Sequence, residues 1–199
     1  MDSLFNRLEI KVSTKTPGSI RFFSGPLQMR KLLCFPILRQ MLLSGRFGNQ
    51  SPFGHMNIPS LPFNQHIGIE TCSEPEQGLL QLPEDPKYQN HLGTVHASAI
   101  FALGEASSGA FLLEHTRDLP VADYVPVLRR ADIKYRTPGE GRIYSEGKYV
   151  EEDWQQFREI LMKSKRAIVR FPIRIKNDEG KCIAEANYEW FVFENTTKI

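Results

Sequence analysis

A carboxylate sits in the middle of a run built for burial. Residues 97–110 read ASAIFALGEASSGA; ten of the fourteen are Ala, Ser or Gly, and the single charge is Glu105. Just ahead stand Asn90, His91, Gly93 and His96. A buried, unpaired Glu is costly and rare. Glu105 therefore meets a cation, with Arg129, Arg130 and Lys134 available, or reaches solvent, or borders a cavity that holds a ligand. In the last case a carboxylate is suited to act as general base, or as nucleophile at an acyl carbon. Gly93 allows a tight approach of the chain before the helix. The N–H groups near Val95, His96, Ala97 and Ser98 fall in the first turn, unpaired by geometry and at the positive end of the dipole. Such donors can polarise a carbonyl oxygen, an effect of about 10²–10³ in rate per donor.

The helix that must carry these residues is expected over roughly 94–116. At about 100° per residue, the face around Glu105 holds Thr94, Ser98, Phe101, Gly109, Leu112 and Thr116. The opposite face holds Ile100, Leu103, Ala110 and Phe111. Glu105 thus has small and polar neighbours one and two turns away, beside a shallow groove. His96 falls opposite Glu105 if it is helical. It reads as a hydrogen-bonded structural His near the helix start rather than a catalytic one.

Strands are needed around that helix. "HIGIETC" and "GLLQLPED" read as a strand pair or a bent strand closed by Pro83 and Pro86. "YVPVLRRADIKYRTPGEG" is a strand stopped at Pro138-Gly139, and "GRIYSEGKYVEE" alternates as a strand. "DWQQFREILMKSK" places Trp154, Phe157 and Leu161 at helical spacing. "RAIVRFPIRIKNDEGKCIAEANYEWFVFE" is a hairpin turning at Asn177–Gly180. One strand, a long helix, then four strands with a short helix inserted make an α+β fold. A helix of Ala, Gly and Ser is what a sheet needs if it curls round that helix closely.

The whole chain sets bounds. Its 199 residues, 41% hydrophobic, suffice for one core and a small extension. A net charge of +2 supplies no strong field toward nucleic acid. Cys34, Cys72 and Cys182 are far apart and odd in number, which argues against a disulfide scaffold or a zinc site. They read as small buried hydrophobes in a reducing, cytoplasmic compartment. No run reaches the roughly 18 apolar residues of a membrane span. Residues 29–45, "MRKLLCFPILRQMLLSG", read as a one-faced helix packing on the main domain; a membrane-surface helix is the alternative. Residues 1–59 are thus expected to be a partly disordered N-terminal extension with this one short helix.

"NHLGTVHASAIFALGEASSG", followed by "ADIKYRTPGEG", resembles the hotdog-fold acyl-CoA thioesterases of the PaaI-like type, most of all the branch related to the C-terminal domain of the bacterial protein YiiD. In that family an Asn precedes the helix-start His by six residues, and an Asp or Glu follows it by nine. Asn90, His96 and Glu105 stand at those offsets. The resemblance covers about residues 60–195 and implies a hotdog domain there: an antiparallel sheet wrapped around one long central helix.

It also implies acyl-thioester hydrolysis, with coenzyme A or an acyl-carrier protein as the carrier. Glu105 would be base or nucleophile, Asn90 would orient the water or the thioester, and the backbone amide of Ala97 would bind the thioester oxygen. His96, Ser98, Phe101 and Gly109 would line the substrate. Arg130 and Lys134, with Arg129, Arg136 and the basic residues 163–170, would meet the phosphates of coenzyme A. No cofactor and no metal are implied. A homodimer or homotetramer is, with the site formed between subunits.

Two positions depart from the family. Its H-G-G start is here His96-Ala97-Ser98, and a helper Ser or Thr found on a strand in some members aligns with Leu128. Both fit an alternative, a non-catalytic acyl-CoA or lipid-binding module. A third reading is a hotdog dehydratase, with His91 placed fourteen residues before Glu105.

Overall fold

Strand formation dominates the second half of the chain, where β-branched and aromatic residues alternate with charged ones. The structure, a computed structural model, describes residues 56–73, 78–117, 119, 124–147 and 151–195. Its elements are α1 (Pro62–Ile67), β1 (Glu70–Thr71), β2 (Leu80–Leu82), α2 (Ala97–His115), β3 (Tyr124–Tyr135), β4 (Ile143–Gly147), α3 (Glu151–Ser164), β5 (Arg166–Asn177) and β6 (Cys182–Glu194). The strands form one antiparallel sheet in the order β1-β2-β4-β5-β6-β3. The expected α+β arrangement is what the chain adopts. The segment 29–45, read as a packing or membrane-surface helix, lies outside the described residues. Among those described, no helix is long and apolar enough to cross a membrane.

The β5–β6 hairpin is the backbone of the sheet. Ala167, Val169, Phe171, Ile173 and Ile175 are buried and alternate with less buried neighbours, the period of two that a half-buried strand requires. The turn closes at Asn177, whose side chain accepts from Lys181 N at 3.0 Å, with Gly180 at φ +74. That left-handed conformation favours Gly.

Helix α2 lies against β2, β4, β5 and β6. Its buried residues, Ile100, Leu103, Ala106, Ser107, Gly109 and Leu112 among them, occupy several of its faces, as expected of a core helix. Its two buried serines are satisfied. Ser107 Oγ bonds Leu103 O and Ser145 Oγ, both at 2.6 Å, and Trp190 Nε1 donates to Ser108 Oγ at 2.9 Å. Helix α3 buries Trp154, Phe157 and Leu161 against β5. Trp154 meets Phe157, Phe171 and His115, so α3 covers the C-terminal end of α2.

Two boundaries differ from expectation. The strand expected over 66–72 shrinks to Glu70–Thr71, because Pro62 starts a short helix and Gly68, at φ +78, ends it. Helix α2 starts at Ala97 rather than near Thr94. Val95 N donates to Gly139 O at 2.8 Å and His96 N to Tyr88 O at 2.7 Å, which holds the residues before 97 in a loop.

Candidate active site

The start of α2 leaves a single open donor. His96 is the N-cap residue, and its Nδ1 accepts from Ser98 N at 3.0 Å. Ala99 N donates to His96 O at 2.9 Å. Val95 and His96 spend their N–H groups on Gly139 and Tyr88. Four open donors were expected near this point. Of these four only the Ala97 N–H has no partner among the described residues, and Ala97 is exposed. The His96 ring is exposed and does structural work, since accepting at Nδ1 places its proton on Nε2. Ser98 is exposed beside it.

The loop before the helix is held by Asn90. Its Oδ1 accepts from Leu92 N at 2.8 Å and Thr94 N at 3.3 Å, and its Nδ2 donates to Thr94 Oγ1 at 3.0 Å. One of the two amide N–H donors is thereby used. Gly93 takes φ +73, the conformation that this tight loop demands. His91 is exposed on the same loop.

Glu105 lies two turns further on, half-buried. None of the three cations available in the sequence reaches it. Arg129 pairs with Glu189 at 3.6 Å and Arg130 with Asp132 at 3.7 Å, and no described residue bonds or ion-pairs with the Glu105 carboxylate. Burial alone pushes its carboxyl above the usual range. Of the three alternatives, the cation is ruled out within the described chain; solvent and ligand stay open.

The sheet under Glu105 is built around Tyr188 of β6. Its hydroxyl donates to Phe101 O at 3.0 Å, and its ring meets the Phe101 ring edge-on at 5.7 Å. Burial, and next to it the charge of Glu105, raise the Tyr188 phenol, so the hydroxyl stays a donor. Gly104 makes the contact feasible: a Cβ there would overlap the Tyr188 hydroxyl and ring. Tyr135 of β3 makes a second bond of this kind, from its hydroxyl to Ala97 O at 3.2 Å. The sequence reading missed both tyrosines. The available signal was Gly104, since Gly inside a helix marks a close approach.

Three expected substrate-binding residues, Gly109 from the helical face and Arg130 and Lys134 from the strand pattern, sit elsewhere than expected. Gly109 is buried, with Trp190 and Ile58 where its side chain would begin, so it serves packing and does not open onto a groove. Arg130 and Lys134 share a face as expected, but the outer one. They pair across the ladder with Glu189 and Glu185, while Ala131, Ile133 and Tyr135 share the helix side with Tyr188, Ala186 and Ala184. Neither cation reaches Glu105. Among the described residues no group of three or more His, Cys, Asp or Glu is disposed to hold a metal.

A family model described as a domain of unknown function, DUF4442, matches residues 60–192. The chain belongs to the DUF4442 family. No curated protein matches it. Among solved structures, this DUF4442 chain is similar to PA5026 from Pseudomonas aeruginosa, called a "Probable Thioesterase", at TM-score 0.59 and 22% identity over 69% of this chain and 91% of that one. It is similar to thioesterase HI1161 from Haemophilus influenzae at TM-score 0.51 and 15% identity over 71% and 89%. The protein BH2602 from Bacillus halodurans, solved with CoA, matches at TM-score 0.51 and 16% identity over 85% and 93%. Likeness at these identities establishes the fold. The DUF4442 chain has the hotdog fold of the thioesterase superfamily.

Proposed function

We propose that this protein hydrolyses an acyl thioester of coenzyme A or of an acyl-carrier protein, with Glu105 as its catalytic carboxylate. One observation carries the reading. Glu105 is half-buried and without a partner among the described residues, on the helix whose first turn presents one open amide, that of Ala97. The Ala97 N–H donates to the thioester oxygen as negative charge develops there. Glu105 takes a proton from water as the water oxygen bonds the acyl carbon, or attacks that carbon itself and is released by water. The C–S bond breaks, the sulfur leaves as a thiol after protonation, and a carboxylic acid remains. Asn90 keeps the loop closed and offers its second N–H to the water or the thioester. Exposed Ser98 and half-buried Phe101 stand on the face that the acyl group would follow. Arg130 and Lys134, on the outer face of the sheet, are not given the phosphates of the same chain's substrate.

The reading favours two copies of the chain. Ala97 and Glu105 are eight residues apart on α2, which is about 12 Å along the axis. That separation is long for one carbonyl to meet both groups of a single helix at reacting distance. The reading therefore sets the donor of one subunit against the carboxylate of its partner. Strand β3, at the edge of the sheet, offers twelve residues whose outer side no described strand covers; such an edge pairs readily with a second copy. CoA in the BH2602 structure supports the carrier by likeness of fold.

A second reading, an acyl-CoA-binding module without turnover, is favoured by Leu128. It stands half-buried opposite Trp190 where a polar helper would sit. Thiol release from short-, medium- and long-chain acyl-CoAs separates the two. Release from any of them supports the hydrolase. No release, together with a rise in Tm on adding acyl-CoA, moves the assignment to the binding module.

A further inference from the structure

We infer that Tyr188 is a positioning residue for Glu105, holding the turn of α2 that carries the carboxylate at a fixed depth against the sheet. The inference rests on the hydrolase reading above and adds to it a residue outside the expected site.

Three observations converge. First, the Tyr188 hydroxyl donates to Phe101 O at 3.0 Å. In an α-helix that carbonyl also accepts from the amide four residues later, which is Glu105. The phenol and the Glu105 backbone therefore share one acceptor, and the turn cannot shift without breaking the phenol's bond. Second, Gly104, next to Glu105 in the chain, is the notch that admits the Tyr188 ring. Any larger residue there would lift the turn off the sheet. Third, the far side of the turn is also pinned. Ser108 Oγ donates to Glu105 O at 2.8 Å and accepts from Trp190 Nε1 at 2.9 Å. Tyr188 and Trp190 are alternate residues on one face of β6, so a single strand grips α2 on both sides of Glu105.

The fold would not require the hydroxyl. Phe101 O already has the Glu105 N–H, and a Phe ring would fill the same space. The hydroxyl is an added constraint at the one turn where the chain places an unpartnered carboxylate. Misplacing a reacting group by about 1 Å can cost as much as 10² in rate, so a constraint here acts on turnover rather than on binding.

The test is a double-mutant cycle on acyl-CoA hydrolysis with Tyr188→Phe, Glu105→Gln and the double variant, their folding checked by circular dichroism. Tyr188→Phe should lower kcat about tenfold at unchanged KM, a split that loss of binding would not give. In the Glu105→Gln background, Tyr188→Phe should have no further effect, because the two act through one group. Wild-type kcat in Tyr188→Phe, or a double variant whose loss is the product of the two single losses, overturns the inference. Full activity in Glu105→Gln instead overturns the hydrolase reading beneath it, so the two failures are distinguishable.

Discussion

Gly104 on α2 faces the ring of Tyr188 on β6 so closely that a single added carbon would overlap the hydroxyl. Gly109, five residues on, has Trp190 and Ile58 at 3.5 and 3.6 Å from the same point, an ordinary contact. Two glycines of one helix are thus predicted to respond oppositely to Ala. Gly104→Ala should destabilise by about 1–3 kcal/mol through overpacking. Gly109→Ala should be neutral or stabilising by up to about 1 kcal/mol, from the backbone freedom removed. Urea denaturation of both variants checks the pair.

Ala97→Pro offers a clean removal of the open donor. Ala97 is the first helical residue, and Pro is well accepted there. His96, at φ −64 and ψ 138, already has the extended conformation that precedes Pro. The variant should therefore fold with wild-type stability or slightly better. It lacks the N–H, so kcat should fall about 10²–10³. Wild-type turnover in Ala97→Pro, measured by thiol release, would remove the amide from the mechanism.

The carboxyl of Glu105 is raised by burial, and the sign of its pH dependence follows. Its folded value lies above the unfolded value of about 4.3, so the native state binds the proton more tightly. Its contribution to stability is complete below the unfolded value and is lost as pH rises through the folded one. Glu105→Gln should accordingly raise Tm at neutral pH, and the gain should vanish at about pH 4 and below. Thermal melts across pH check this; a Tm of Glu105→Gln below wild type at pH 7 would contradict it.

The proposed two-copy site predicts complementation. Mixing inactive Ala97→Pro with inactive Glu105→Gln gives mixed dimers in which one site carries both substitutions and the other none. With random pairing about half of the dimers are mixed, so about a quarter of wild-type activity should return. No recovery after co-refolding would show that donor and carboxylate belong to one chain.

The sequence made the long helix, the hairpin and α3 visible, because each has a clear period and a clear stop. Glu105 stood out because a charge inside a run of Ala, Gly and Ser demands a reason. The facing of Arg130 and Lys134 was not readable. The ladder shifts register between Leu128 and Arg130, so even-numbered residues face the helix before the shift and odd-numbered ones after it. A one-residue irregularity turns every later side chain to the other face, and alternation alone does not reveal it. The closure of the Val95 and His96 donors ahead of the helix was hidden too, since their acceptors, Gly139 O and Tyr88 O, are brought there by the fold and no local pattern specifies them. The Tyr188 hydroxyl reaches Phe101 across 87 residues, a pairing that only the fold brings about.

The central claim is that Glu105 drives hydrolysis. It is tested most directly by thiol release from the best acyl-CoA substrate, with wild type and Glu105→Gln compared at equal protein concentration. Glu105→Gln keeps the shape and removes the charge. The account predicts release by wild type and a fall in kcat of about 10² or more in the variant, the scale of an acid–base group. Equal release from both proteins would contradict it.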